Sequence, residues 1–275
     1  MSDINEVGAT AFFIAGIREQ EKDRKHPLFE DPYAEWFVND DIRAKVRQVF
    51  AVLPEGMELV RYRSALFDDI VRREIGNGMR QIVILGSGFD MRPQVFQTEG
   101  VRFCDVDQAA VLAFKGRVLE ARGVTPSAGI ACNYLEVDLP AKLAESGFDL
   151  EAPMLIVWEG NTMYLPEDLI YGFLNRLRDG VRSFRIAFDF FARSVIDRTT
   201  GDDNITATTD AFQNILKVKW LTGFDDLSAL EQRTGLKAVE FGSLYDFGKR
   251  VAPDLPQEMP QLHLYLHGIL ANGAA

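Results

Sequence analysis

The sequence is poor in the residues that build disulfides and most metal centres. Only two cysteines occur among 275 residues, Cys104 and Cys132, and they do not form a Cys-x-x-Cys pair. A disulfide framework is therefore not expected, and a reducing cytoplasm is the default location. Of the three histidines, His263 and His267 lie four residues apart on a predicted strand. That spacing is ~13 Å, too long for a shared metal, so no metal site is expected.

Basic residues and long hydrophobic runs are also scarce. Lys and Arg total 30 against 41 Asp and Glu, a net charge of −11. Nucleic acids and anionic membranes both attract basic surfaces, so this charge argues against either partner. No apolar run approaches the ~18 residues of a membrane-spanning helix. The first ten residues lack the basic and apolar regions of a secretory signal, so the sequence predicts a cytoplasmic globular protein.

From about residue 80, short apolar runs alternate with stretches long enough for helices. This alternation predicts an α/β fold with a seven-stranded, mostly parallel sheet and helices on both faces. The last run alternates apolar and polar residues, which favours an antiparallel strand with a less buried face. The predicted helices include 108–122 and 166–178. The predicted strands are Gln81–Leu85, Val101–Val106, Gly129–Asn133, Leu155–Trp158, Ile186–Phe190, Ala238–Phe241 and Leu262–Gly268.

We expect one domain over residues 1–275. Residues 1–58 carry helical patterning and are expected to form an N-terminal helical cap, and residues 59–275 a Rossmann-like core. The polar stretch 194–219 interrupts the alternation of strands and helices. It predicts a mobile lid or an inserted helix over a site.

A glycine-rich turn, Gly86-Ser87-Gly88, follows the first predicted strand. Val106 and Asp107 end the next strand, and Asp107 lies 19 residues after Gly88. Doubly wound folds place a carboxylate at this spacing against ribose hydroxyls. The alternative is a plain tight turn followed by a solvated acid.

Met91 stands where a Gly-x-Gly-x-x-Gly motif has its third glycine. That glycine allows a helix to pack closely on its strand beneath a pyrophosphate. Its absence disfavours NAD and FAD. It favours a nucleoside ligand without pyrophosphate, such as S-adenosylmethionine.

Arg63 is expected on the same face as the apolar residues of its helix. A buried guanidinium requires an anion, and the helix directly precedes the glycine strand. A ligand carboxylate near Gly86 is therefore one partner. The alternatives are a side chain that extends to the rim, or an internal pair with Asp68, Asp69 or Asp90.

Two further acids follow predicted elements. Glu159 comes directly after an apolar strand, at the sheet edge where open α/β proteins bind ligands. It could face the amino group or the sulfonium of the ligand, or it could interact with the next helix N-terminus. Asp138, which precedes Leu139, could accept a hydrogen bond from an adenine amine, or it could cap a loop.

Six ordered segments, taken together, resemble the leucine carboxyl methyltransferase family. The nearer likeness is to its bacterial branch, which includes tetracenomycin-type polyketide carboxyl methyltransferases. The likeness covers roughly residues 8 to 190 and is weaker towards the end. The segments are TAFFIAGIREQEKDRKHPLFEDPYA, RYRSALFDDIV, VILGSGFDMRP, FCDVDQAAVLAFK, VDLP and EGNTMYLP.

The resemblance implies a class I methyltransferase fold and S-adenosylmethionine as cofactor. It assigns roles by position: Arg63 to the methionine carboxylate, Gly86, Ser87 and Gly88 to the glycine loop, Val106 and Asp107 to the ribose, Asp138 and Leu139 to the adenine, Glu159 to the methionine amine, and Tyr164 to the substrate. Ser87 replaces a commoner alanine and Met91 a commoner threonine, and neither position requires a charge.

The implied activity is O-methylation of a carboxylate, or alternatively of a hydroxyl, on a small metabolite or a polyketide-type natural product. A carboxylate acceptor is already nucleophilic at pH 7 and needs no general base. Arg193 follows a predicted strand and is a candidate acceptor contact, with a surface arginine as the alternative. Two other functions stay open: an NAD-dependent oxidoreductase, which Met91 disfavours, and a non-catalytic S-adenosylmethionine-binding regulatory protein.

Overall fold

The computed structural model describes residues 9–252 and 259–273, which fall into two compact units, Met1–Val137 and Asp138–Ala275. In the first unit, β1 pairs with β2 and β2 with β3, and all pairs are parallel. Short 3-10 turns lie at Gln20–Asp23 and Ala34–Phe37. The elements are α1 (Ala9–Glu19), α2 (Asp40–Val52), α3 (Pro54–Gly76), β1 (Gln81–Leu85), α4 (Arg92–Val95), β2 (Arg102–Asp107), α5 (Ala109–Glu120) and β3 (Ala128–Ala131).

Ion pairs hold the N-terminal helices of this unit together. The Arg18 guanidinium of α1 lies 2.7 Å from Asp31. Buried Arg61 of α3 donates from two nitrogens to Glu21, at 2.5 and 2.9 Å. These charges come from the segments that carry the family resemblance. They are paired inside the protein rather than turned to solvent.

In the second unit, β4 and β5 are parallel, while β7 runs antiparallel to both β5 and β6. A 3-10 turn lies at Thr162–Tyr164. The elements are α6 (Leu139–Glu145), β4 (Met154–Trp158), α7 (Glu167–Gly180), β5 (Phe184–Phe191), α8 (Arg193–Ile196), α9 (Asp203–Leu216), α10 (Ser228–Thr234), β6 (Lys237–Ser243), α11 (Leu244–Val251), α12 (Pro260–His263) and β7 (Tyr265–Asn272).

The first predicted strand has the observed bounds, and the antiparallel last strand is confirmed. The bounds predicted for this last strand, Leu262–Gly268, and its less buried face were wrong. β7 begins at Tyr265, and Leu262 belongs to α12. Residues 265–271 are all buried, because β7 lies between β5 and β6 rather than at the edge. The edge strand is β6, which exposes Val239 and Phe241.

The polar stretch 194–219 contains α9. Asp202 begins this helix as its N-cap, accepting hydrogen bonds from the backbone N–H groups of Asn204 and Ile205. A role of this stretch as a lid stays a prediction, and so does the division into a cap of residues 1–58 and a core of residues 59–275. Across residues 9–252 and 259–273, no helix is long and apolar enough to cross a bilayer.

Candidate functional site

The glycine loop after β1 has backbone angles that suit glycine. Gly86 has φ +59° and Gly88 has φ +50°, a left-handed conformation that costs glycine little because it has no Cβ. The N–H of Gly86 donates to the carbonyl of Val106 at 2.8 Å, and the N–H of Ser87 to the same carbonyl at 3.3 Å. The loop is thereby bonded to the end of β2.

Asp107 contacts this loop directly, so the structure brings together the two features separated by 19 residues in sequence. The N–H of Gly88 donates to Asp107 Oδ2 at 2.7 Å, and the N–H of Gln108 donates to Oδ1 at 2.6 Å. Burial raises the pKa of Asp107, and the two backbone donors oppose that rise. Each carboxylate oxygen can accept a second hydrogen bond, which is the capacity that a pair of ribose hydroxyls requires.

The side chains of Ser87 and Phe89 are both buried at this loop. Ser87 is buried, and its hydroxyl finds no hydrogen-bond partner among the described residues. A buried hydroxyl without a partner is costly, and a polar ligand at the loop would satisfy it. The Phe89 ring packs against Phe12, Phe37 and Phe114, with centroid separations of 4.9, 4.5 and 5.4 Å.

Arg63 is half-buried on α3, so its predicted burial was wrong. Residues around most of the circumference of α3 are buried, and periodicity cannot identify a single inward face in such a helix. The buried arginine of α3 is Arg61, which pairs with Glu21. The role of Arg63 at a ligand carboxylate stays a prediction.

Sequence reasoning missed Arg92. This residue lies at the start of α4 and is 1% exposed. It donates to Asp68 Oδ1 at 2.6 Å and to Asp90 Oδ2 at 2.6 Å. Two of the acids considered as partners for Arg63 are therefore bonded to Arg92. The available signal was an arginine two residues after a loop acid, in Asp90-Met91-Arg92.

The segment after β4 is held by an acid that sequence reasoning also missed. Asp189 of β5 is fully buried and accepts the N–H of Gly160 at 2.6 Å and the hydroxyl of Tyr265. The hydroxyl of Thr162 donates to the Asp189 carbonyl. Glu159, half-buried, precedes Gly160. The sign in the sequence was an acid within an otherwise apolar strand.

Tyr164 ends the 3-10 turn of this segment and is half-buried. The segment of residues 221–222 is hydrogen-bonded to this turn. The N–H of Leu221 donates to the Met163 carbonyl at 2.7 Å, and the Thr222 hydroxyl donates to the Leu165 carbonyl at 2.5 Å. The substrate-facing role of Tyr164 stays a prediction.

Asp138 and Leu139 open α6. The Asp138 side chain is exposed and accepts the N–H of Ala141 at 3.0 Å, as a helix N-cap. This is the capping alternative that the sequence left open, and one oxygen of the carboxylate carries the cap. Leu139 is buried. Contact of either residue with adenine stays a prediction.

Arg193 begins α8, and its guanidinium donates to Glu167 Oε1. Glu167 also accepts the hydroxyl of Tyr171 at 3.1 Å. The bond from Arg193 lowers the pKa of Glu167. The pair is partly exposed, which agrees with a surface arginine, and the acceptor-binding role of Arg193 stays a prediction.

A family model described as leucine carboxyl methyltransferase matches residues 10–177. The chain belongs to the leucine carboxyl methyltransferase family. The resemblance carried by the six segments is thereby confirmed. A relative from Streptomyces coelicolor, described as a candidate S-adenosyl-L-methionine-dependent methyltransferase, is 32% identical over 208 residues. That match covers 70% of this chain and 72% of the relative.

Solved structures agree on the fold. A DUF574 family protein from Streptomyces avermitilis matches with a TM-score of 0.62 and 16% identity, covering 94% of this chain and 97% of that one. Magnesium protoporphyrin IX methyltransferase from Synechocystis, solved with bound SAH, matches with a TM-score of 0.52 and 8% identity, covering 87% of this chain and 97% of that one. The Rossmann-like class I methyltransferase fold is confirmed. This family member is an S-adenosylmethionine-dependent methyltransferase.

Arg63 offers a direct test of cofactor binding. Substituting Arg63→Ala is expected to weaken S-adenosylmethionine binding by at least ~1.5 kcal/mol, the lower range for hydrogen bonds to a charged group. Isothermal titration calorimetry measures the change. Arg72→Ala is the matched control, because Arg72 is exposed on the same helix. An unchanged affinity in a folded Arg63→Ala protein would reject the role.

Proposed function

We propose that this methyltransferase acts on a carboxylate oxygen of a small metabolite or polyketide-type acid. In the reaction, the carboxylate oxygen attacks the methyl carbon as the bond from that carbon to sulfur breaks. The products are a methyl ester and S-adenosylhomocysteine. The observation that supports cofactor binding most directly is the contact between Gly88 and Asp107.

The loop residues fit the nucleoside part of S-adenosylmethionine. Each oxygen of the Asp107 carboxylate accepts one backbone N–H. Each would accept a ribose hydroxyl as its second hydrogen bond. Left-handed Gly86 and Gly88 carry no side chain that would hold the ligand away from the backbone. The Ser87 hydroxyl, which has no partner among the described residues, is a further polar group at this loop. The backbone of the loop is bonded to the carbonyl of Val106.

Four more residues complete the proposed cofactor set from the family positions. Arg63 would bind the methionine carboxylate and Glu159 the methionine amine. Asp138 and Leu139 would contact the adenine, the former with the part of its carboxylate that the helix cap does not use. Carboxylates suit this ligand because its sulfonium, its amine and its ribose present positive charge or hydrogen-bond donors.

A hydroxyl acceptor would need a base to remove its proton, and histidine is the most common such base. The three histidines favour a carboxylate acceptor instead, because each is either exposed or placed against another side chain. His26 is exposed in the loop after α1, and its carbonyl accepts from Arg61. His263 is exposed and stacks on Tyr245. Buried His267 lies 3.3 Å from Glu240. A carboxylate is ionised at pH 7, so catalysis needs alignment and exclusion of water rather than proton removal.

An acidic protein that binds an acidic acceptor needs a local cation. Arg193 is our candidate, and an acceptor carboxylate would take the place of Glu167 on its guanidinium. Exchange of one partly exposed carboxylate for another costs little, because exposed ion pairs are worth ~0–1 kcal/mol. Tyr164 would lie on the substrate side and orient the acceptor.

The test supplies S-adenosylmethionine with a labelled methyl group to the full-length protein. The acceptors are a panel of aromatic and aliphatic acids, including polyketide-type acids, each with its matching primary amide and alcohol. We expect label on acids only, released as methanol in mild alkali because esters hydrolyse there and ethers do not. Arg117→Met, an exposed change on α5, should leave transfer intact. Label that is stable to alkali would overturn carboxylate methylation.

A further inference from the structure

Lys115 is a buried lysine that the proposed cofactor contacts do not use. It lies on α5 and is 2% exposed. Lysines are almost never fully buried unless they are paired. Its position therefore requires a partner inside the first unit.

Two partners hold the ammonium group. Lys115 Nζ donates to Asp105 Oδ2 at 2.7 Å and to the backbone carbonyl of Asp90. Asp105 is itself buried, and its Oδ2 also accepts the Ser127 hydroxyl at 2.5 Å. One lysine thus bridges an acid of β2 and the backbone just after the glycine loop.

This bridge and the Asp107 contact act on the same short segment. Asp105 and Asp107 are two residues apart on β2, so their side chains leave the same face of the strand. Asp107 holds the N–H of Gly88. Lys115 ties the carbonyl of Asp90, two residues further on, to Asp105. The loop is therefore fixed to one strand face at two points.

We infer that Lys115 is a positioning residue of the cofactor site. By holding the Asp90 carbonyl, it keeps Gly88 in hydrogen-bond reach of Asp107 and keeps the Asp107 carboxylate in the orientation that ribose hydroxyls need. The inference rests on the proposed placement of the cofactor at residues 86–88 and Asp107.

A residue that only stabilised the fold would not need both a charge and a hydrogen-bond donor at this position. Replacing a buried ion pair by apolar side chains of similar volume is often neutral for stability. An apolar side chain cannot donate to the Asp90 carbonyl. Loss of the charge pair and loss of that hydrogen bond can therefore be separated by substitution.

The experiment compares Lys115→Met with the double variant Lys115→Met/Asp105→Asn. The single variant leaves the Asp105 carboxylate buried without its cation, so its melting temperature should fall. The double variant removes both charges and should recover at least half of that fall. We expect both variants to bind S-adenosylhomocysteine at least tenfold more weakly in calorimetry. We also expect at least tenfold faster amide hydrogen exchange over residues 86–91 without ligand.

Arg117→Met is the matched control, because Arg117 is exposed on the same helix. Its affinity should stay within twofold of the wild type. Recovery of both the melting temperature and the affinity in the double variant would overturn the inference, since only stability would then depend on Lys115. Wild-type affinity in Asp107→Asn would instead overturn the cofactor placement, and the inference with it.

Discussion

The Asp107→Asn protein is expected to bind S-adenosylmethionine about 30-fold more weakly than the wild type. Asparagine keeps the shape of the side chain but removes the charge and one acceptor oxygen. Hydrogen bonds to charged groups contribute ~1.5–3 kcal/mol, and a loss of ~2 kcal/mol corresponds to roughly 30-fold in Kd. Calorimetry on the folded variant at pH 7.5 measures the change.

The pH dependence supplies the control for this prediction. Burial raises the pKa of Asp107 above its ordinary value. As the pH falls through this raised pKa, the carboxylate takes up a proton and accepts fewer hydrogen bonds, so wild-type affinity should fall. The Asp107→Asn variant should lack that component. Identical pH profiles for the two proteins would contradict the role of Asp107.

The same raised pKa has the opposite effect on folding. Between the ordinary and the raised pKa, the folded protein holds a proton on Asp107 that the unfolded chain has released. The stability contributed by this group therefore declines as the pH rises through that window. A lower pH therefore stabilises the folded state through Asp107 but weakens cofactor binding. The two effects can be measured separately.

The Arg92→Met protein is expected to lose ~3–5 kcal/mol of the free energy of unfolding. Arg92 is almost fully buried and bonds Asp68, which is 3% exposed. Removing one partner of a buried pair leaves an uncompensated charge, which is the costly case. Burial raises the pKa of Asp68, and the charges of Arg92 and Arg18 oppose that rise. Urea unfolding measures the loss.

Arg92→Met/Asp68→Leu separates charge from packing. This double variant should recover more than half of the lost free energy, because it removes both buried charges. Arg72→Met, an exposed change on α3, should stay within ~0.5 kcal/mol of the wild type. A loss below ~1 kcal/mol in Arg92→Met would show that Asp68 is satisfied without the guanidinium.

Local spacing is what made the fold and part of the site predictable. In β1, residues 82–85 form an uninterrupted apolar run that ends at a glycine turn, and the strand has the predicted bounds. The spacing between Gly88 and Asp107 follows from the parallel pairing of β1 with β2, and the structure joins them at 2.7 Å. Such signals need no knowledge of distant partners.

Pairs formed by residues far apart in sequence were not predictable. Arg92 bonds an acid 24 residues earlier, and Tyr265 bonds Asp189 76 residues away. No periodicity encodes these contacts. The pattern around Leu262 also gave the wrong bounds for the last strand. One turn of helix followed by a strand produced an alternation that resembled a single strand.

The aromatic contacts of Phe89 bear on how quickly a ligand can bind. Its ring packs against three phenylalanines, and this packing restricts the conformations that are open to the glycine loop. Binding then carries little entropic cost from loop ordering. Association at this loop should follow a single kinetic phase whose rate constant rises in proportion to ligand concentration, without a slow isomerisation step.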